Sequence, residues 1–233
     1  MHSELILDID VQGHDSPELI IKRRAVVEGV VNELLQGKYH FLSIDGVPGI
    51  GKTYFVERIM EEIARRGIGV ALATMDMDVL PRSERGDLEI TDYHPGDIAR
   101  EAVLRHKQGT VSSFDFMEYD GATGEHSKKS RLVVPGDNNG LLIVEGFTSS
   151  LFIESMVGAT ADRVYEILLT GQMDLVEQQR LDRDLNKKGL PLEVMYQRLE
   201  SQRRALTVFD ADTQRRLSVS THAVNRKPTH VKM

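Results

Sequence analysis

Apolar residues first fall into a helical rhythm after residue 16, where Leu19, Ile20, Val26, Val27, Val30, Val31, Leu34 and Leu35 share one broad stripe of the segment 16–36. Ser16 stands at an N-cap position and Pro17 at the first helical position, so the pattern predicts a helix ahead of the first core strand. Beyond it come short, mostly continuous apolar runs at 41–45 (FLSID), 68–75 (IGVALATM), 141–145 (LLIVE), 164–170 (VYEILLT) and 217–224. Runs without polar alternation are the mark of strands covered on both faces. Helical patterns at about 53–66, 96–108, 172–188 and 191–209 separate them, with Gly67 and Gly109 placed to cap two of these. Strand and helix in alternation predict an α/β fold, a doubly wound and mostly parallel sheet.

One stretch breaks the rhythm. Residues 110–135, with Gly121, Gly124 and the basic cluster His126, Lys128, Lys129 and Arg131, read as a β-rich excursion over the carboxyl edge of the sheet. The organisation expected is an N-terminal extension, 1–38, whose helix packs on the core, followed by one domain over 39–233. Periodicity leaves open whether that helix packs on its own sheet or joins a homodimer. The polar, basic tail 225–233 (NRKPTHVKM) reads as a frayed end.

Composition narrows the chemistry. The 233 residues include no cysteine, which excludes a disulfide framework, a thiolate zinc site and a cysteine nucleophile. A net charge of −7 argues against nucleic acid as partner, since a phosphate backbone needs a broad basic surface. Residues 1–15 carry four acids and no Lys or Arg, unlike a secretory signal, and no apolar run reaches the ~18 residues that cross a bilayer. The expectation is a cytoplasmic protein with no membrane partner.

Residues 46–53 read Gly46-Val47-Pro48-Gly49-Ile50-Gly51-Lys52-Thr53, a full match to the phosphate-binding loop G-x-x-x-x-G-K-[ST], between an apolar run and an amphipathic helical pattern. In such a loop backbone N–H groups and a helix N-terminus surround the phosphates. Lys52 then meets the β- and γ-phosphates, and Thr53 holds Mg²⁺ through its hydroxyl. No Asn-Lys-x-Asp guanine motif occurs, the nearest string being Asn186-Lys187-Lys188-Gly189, and no Leu-Ser-Gly-Gly-Gln transporter signature occurs. A kinase needs an acceptor-side carboxylate, a second acid near the metal and mobile cations over the transferring group. Asp76 and Asp78, just past the second strand, supply two candidates for the base, and Glu145 at the end of LLIVE supplies the metal-side acid. Arg180 and Arg183 share a face of a predicted helix, as lid cations or as part of an ordinary solvated charged face.

Taken in order, these parts resemble the uridine kinase and phosphoribulokinase branch of the P-loop kinases, as a bacterial uridine kinase-like member, over roughly residues 40–210. Beside the P-loop the resemblance rests on Met75-Asp76-Met77-Asp78-Val79-Leu80-Pro81-Arg82, Tyr93-His94-Pro95, Tyr119-Asp120-Gly121-Ala122-Thr123-Gly124, Val144-Glu145-Gly146 and Arg180-Leu181-Asp182-Arg183-Asp184 with Gly189 beyond. It implies a P-loop NTPase-type sheet with a helical lid at about 172–190 and the excursion on the substrate side. It implies ATP and Mg²⁺ as cofactors, Asp76 as catalytic base with Asp78 as runner-up, Arg180 and Arg183 in the lid, and His94 and Tyr119, with Asp78 and Arg82 as further substrate-binding candidates, facing a small hydroxyl substrate, nucleoside-like or another small metabolite. Gly121 and Gly124 stand where nucleoside-specific members carry an aromatic residue and a His, so the base-stacking surface is absent from its usual place. Arg82 and Arg85 are placed either to hold an anionic substrate group or to cap the loop after the second strand. Kinases of a sugar, an amino-acid-like compound, an antibiotic or a nucleotide sugar, and a non-catalytic ATP-binding module, are the alternatives.

Overall fold

The computed structural model describes residues 3–9, 17–86, 96–120, 123–136, 140–146, 163–171 and 229–232, with shorter pieces at 149, 153, 176–178, 181, 185, 191, 193–197, 200 and 203. Its elements in chain order are β1 (Ser3–Ile9), α1 (Pro17–Leu34), β2 (Phe41–Gly46), α2 (Lys52–Arg65), β3 (Gly69–Thr74), α3 (Arg82–Arg85), α4 (Asp97–Lys107), β4 (Ser112–Asp120), β5 (Glu125–Val134), β6 (Gly140–Gly146), β7 (Val164–Gly171) and β8 (Thr229–Lys232). Among the described residues six strands form one sheet in the order β3-β6-β2-β7-β1-β8, and every pairing between them is parallel.

The continuously apolar runs are explained by two cores on opposite faces of this sheet. On one face Val27, Val30, Val31 and Leu34 of α1 and Phe55, Val56, Ile59 and Ile63 of α2 pack on Leu42, Ile44, Leu141, Ile143 and Ile167. On the other, Ala99, Ala102 and Val103 of α4 and Leu132 and Val134 of β5 pack on Phe41, Ala71, Ala73, Leu142 and Val144. Successive residues of β6 thus serve alternate cores, which requires an apolar side chain at each. The excursion at 110–135 is a two-stranded antiparallel hairpin, β4–β5, with a bulge between Met117 and Tyr119.

Two strands lie outside what periodicity predicted. β1 pairs in parallel with β7, so residues 3–9 are a strand of the sheet itself. The expectation of a frayed tail is corrected at Thr229–Lys232, which pairs with β1 as the edge strand β8. An edge strand is held through its backbone and needs no buried apolar run, so a polar tail carries no local sign of it. The expected strand at 217–224 and most of the helices and lid expected at 172–209 lie outside the described residues. Among the described residues no helix is long and apolar enough to cross a membrane.

Candidate functional site

The P-loop leaves the carboxyl end of β2, an interior strand flanked by β6 and β7, and runs into α2. Buried Val47 and Ile50 anchor it to the core, and a turn bond from Ile50 N–H to the Val47 carbonyl (3.2 Å) closes it. Gly51 caps α2 at φ 101°, a left-handed conformation that a side chain would strain. Gly46, Pro48 and Gly49 complete the loop, and Thr53 is exposed in the first turn of α2. The Lys52 ammonium folds back over the loop, donating to the carbonyls of Gly46 (2.8 Å) and Val47 (3.3 Å), with Glu145 Oε1 at 3.7 Å.

Glu145 lies on β6 opposite Ile44 of β2 and Thr74 of β3, so the register sets it between the ends of its two neighbours. Its carboxyl is pushed above the usual range chiefly by burial; Lys52 pulls it back down, while the negative charges of Asp76 and Asp45 push it further up. Glu145 therefore feels one ammonium and two further carboxylates; its own oxygens and the Thr53 hydroxyl are hard donors of the kind that Mg²⁺ takes. Among the described residues no group of three or more His, Asp or Glu side chains is placed to hold a metal ion.

The two candidate bases part company. Asp76 is exposed at the corner of a turn closed by Met77 N–H to the Thr74 carbonyl (3.2 Å), and the preceding Met75 N–H donates to the Glu145 carbonyl (3.0 Å). Asp76 thus stands beside Glu145 at the carboxyl edge. Asp78 turns to α4, where its Oδ1 accepts from Gly96 N–H (3.1 Å) and its Oδ2 from Ile98 N–H (3.0 Å).

At the hairpin, α3 and the loop before it are fastened to the β4–β5 turn. Arg82 N–H donates to the Gly124 carbonyl (2.7 Å), Ser83 N–H and Oγ donate to Glu125 (3.2 and 3.0 Å), and His126 Nε2 meets the Val79 carbonyl (3.0 Å). The Arg82 guanidinium lies flat on Gly124, where a Cβ would fall 2.5 Å from Arg82 Cζ. Arg85 donates from Nε to the Leu80 carbonyl (2.8 Å) and covers the ring of Tyr119 at 4.9 Å. The structure thus brings Lys52, Thr53, Asp76 and Glu145 to one edge and Arg82 and Tyr119 to the hairpin turn. His94, Arg180 and Arg183 lie outside the described residues.

Sequence reasoning missed Asp45. It is fully buried at the end of β2, accepting from Ser149 Oγ (2.6 Å) and Ser43 Oγ (3.3 Å), and Ser149 Oγ also lies 3.2 Å from the Ile44 carbonyl. Its signal was an acid closing an otherwise strand-like run directly before the P-loop; its partner 104 residues away was not legible.

No protein-family model matches the chain, and no curated protein matches it. Among solved structures it is similar to a candidate fructose transport system kinase from a Silicibacter species, at 16% identity and a TM-score of 0.58, over 81% of this chain and 94% of that one. YFH7 of Saccharomyces cerevisiae, a candidate P-loop kinase with a circular permutation, matches at 10% identity and 0.55, over 89% and 99%. D-glycerate 3-kinase of Cryptococcus neoformans matches at 10% and 0.51, over 78% and 87%. At such identities the likeness speaks for the fold and not for a substrate. With its parallel sheet, its phosphate loop on an interior strand and helices on both faces, the chain has the fold of the P-loop kinases.

Proposed function

We propose that the chain is an ATP-dependent kinase that transfers the γ-phosphoryl group to a hydroxyl of a small molecule. The observation that carries this reading is the meeting of the P-loop Lys52 with Glu145, with the exposed Asp76 beside them. The backbone of 46–52 holds the phosphates, and Lys52 exchanges its loop carbonyls for phosphate oxygens. Thr53 and Glu145 would hold Mg²⁺, which when bound neutralises charge on the phosphates. Asp76 orients the acceptor hydroxyl and takes its proton as the new O–P bond forms and the bond from γ-phosphorus to the ADP oxygen breaks. Arg180 and Arg183 close over the equatorial oxygens, where transition-state charge gathers.

The acceptor is a small hydroxyl compound facing Arg82, His94 and Tyr119. Two solved structures of like fold bear the names of a candidate fructose transport system kinase and a D-glycerate 3-kinase, which supports a small hydroxyl compound as the substrate class. A nucleoside is disfavoured, because Arg85 already covers a face of Tyr119 and glycines stand at 121 and 124. A screen with γ-labelled ATP over sugars, hydroxy acids, amino-acid-like compounds and nucleosides tests the reading: label is expected in a non-nucleoside compound. ATP binding without acceptor-dependent ADP release would instead mark a regulatory module. Asp76→Ala is expected to lower kcat by about 10²- to 10⁴-fold with the fold retained. Near-normal kcat in Asp76→Ala together with its loss in Asp78→Ala would reverse the base assignment.

A further inference from the structure

The loop after β3 carries two acids separated only by Met77, and the structure sends them to different places. Gly96, the N-cap of α4, is left-handed (φ 66°) and has no side chain with which to cap its own helix. The first amides of a helix lack partners within it and carry its positive end. Asp78 fills that place from outside, one carboxylate oxygen on each of two amides, 18 and 20 residues away in sequence.

The helix it grips is itself fixed. Ala99, Ala102 and Val103 are fully buried against the sheet. At the far end the buried His106 ring has Nδ1 2.6 Å from the Pro135 carbonyl and Nε2 2.9 Å from the His40 carbonyl, and meets Phe41 edge-on at 4.9 Å. Asp78 is therefore tied to the core and not to another loop. Upstream, the chain is tied by Met75 N–H to the Glu145 carbonyl and by Met77 N–H to the Thr74 carbonyl. Asp76 is bracketed between these bonds and the Asp78 anchor.

We infer that Asp78 is a positioning residue, whose carboxylate on the Gly96 and Ile98 amides of α4 fixes the loop that presents Asp76 beside Glu145. The inference rests on the kinase reading of Asp76. It deepens that reading by dividing the two acids: one meets the acceptor, the other holds the first in place. A displacement of about 1 Å at a reacting group costs roughly 10²-fold in rate, so the anchor matters to kcat and not to nucleotide binding.

The test compares Asp78→Ala, Asp78→Asn and wild type by amide NMR, hydrogen exchange and kinetics. In Asp78→Ala the Gly96 and Ile98 amides are expected to exchange about tenfold faster, with the Asp76 and Met77 amide resonances displaced. Asp78→Asn keeps one carbonyl acceptor and is expected to fall between. With MgATP and the compound labelled in the screen, kcat is expected to drop about 10- to 100-fold in Asp78→Ala. KM for MgATP is expected within twofold of wild type, and Asn to restore part of kcat. Unmoved Asp76 and Met77 resonances, or an unchanged kcat with a raised acceptor KM, overturn the inference. If Asp78→Ala does not fold, the isosteric Asn variant decides by the same readings. A wild-type protein that labels no compound overturns the kinase reading, while the resonances and exchange rates still decide whether Asp78 holds the loop.

Discussion

At the scale of single residues, the site turns on Glu145 and Lys52. Burial raises the Glu145 carboxyl above its unfolded value, so between the two values the folded chain binds more protons than the unfolded one. The neutral form's advantage is present at low pH and is lost as pH rises through that window. Glu145→Gln is thus expected to melt higher than wild type at pH 8, with the gap closing toward the ordinary Glu range near ~4.3. Thermal melts across pH check this, and the same variant is expected to gain less from MgATP. Lys52→Met removes the ammonium and leaves the carboxylate, whose side chain is 13% exposed, without that partner. A loss of about 1–3 kcal/mol at pH 8 is expected in denaturant unfolding, together with loss of phosphoryl transfer. Both effects were half-legible in sequence: the motif names Lys52, while the acid it meets stands 93 positions further on, a separation that only the β2–β6 register closes.

At the scale of elements, the informative joint is the one between α3 and the hairpin. Gly124 has φ 82°, and its missing Cβ makes room for the Arg82 guanidinium. In Gly124→Ala the flexible arginine can swing aside at little cost, so the destabilisation is set by the strained backbone, about 1–2 kcal/mol. With Arg82 facing the acceptor as proposed, the expected result is a modest shift of the unfolding midpoint with a larger rise in acceptor KM. An unchanged KM in both Gly124→Ala and Arg82→Ala removes Arg82 from the substrate site. On the open face of the hairpin, hydrogen bonds from Arg131 and Lys129 hold the exposed Asp115 carboxyl well below its usual range. Exposed pairs of this kind contribute little to stability, so the hairpin is held chiefly by Leu132 and Val134 in the core and by its joint with α3.

At the scale of the whole molecule, β1 and β8 extend the sheet beyond β7, and among the described residues β8 pairs with β1 alone. Deleting residues 1–10 therefore removes one strand and releases another, baring the edge of β7. The expected outcome is a Tm lower by about 5–10 °C with concentration-dependent aggregation, read by circular dichroism and light scattering. A truncated chain that melts like the full one would show β1 to be dispensable to the sheet.

By itself the sequence determined the phosphate loop, its strand and helix, the buried strands β2, β6 and β7, the partly buried β3, and the presence of a β excursion. These are encoded by neighbours: a fixed spacing of glycines and Lys52, apolar runs, helical stripes. It also brought Asp76, Asp78 and Glu145 forward as acids at a sheet edge, but could not rank them. Tertiary structure alone gave Asp78 to the amides of α4, left Asp76 exposed beside Glu145, tied buried Asp45 to Ser149, and made strands of residues 3–9 and 229–232. The physical reason is common to all four. A carboxylate's role, and an edge strand's existence, depend on hydrogen-bond partners that lie far away in sequence and exist only once the sheet has closed its register.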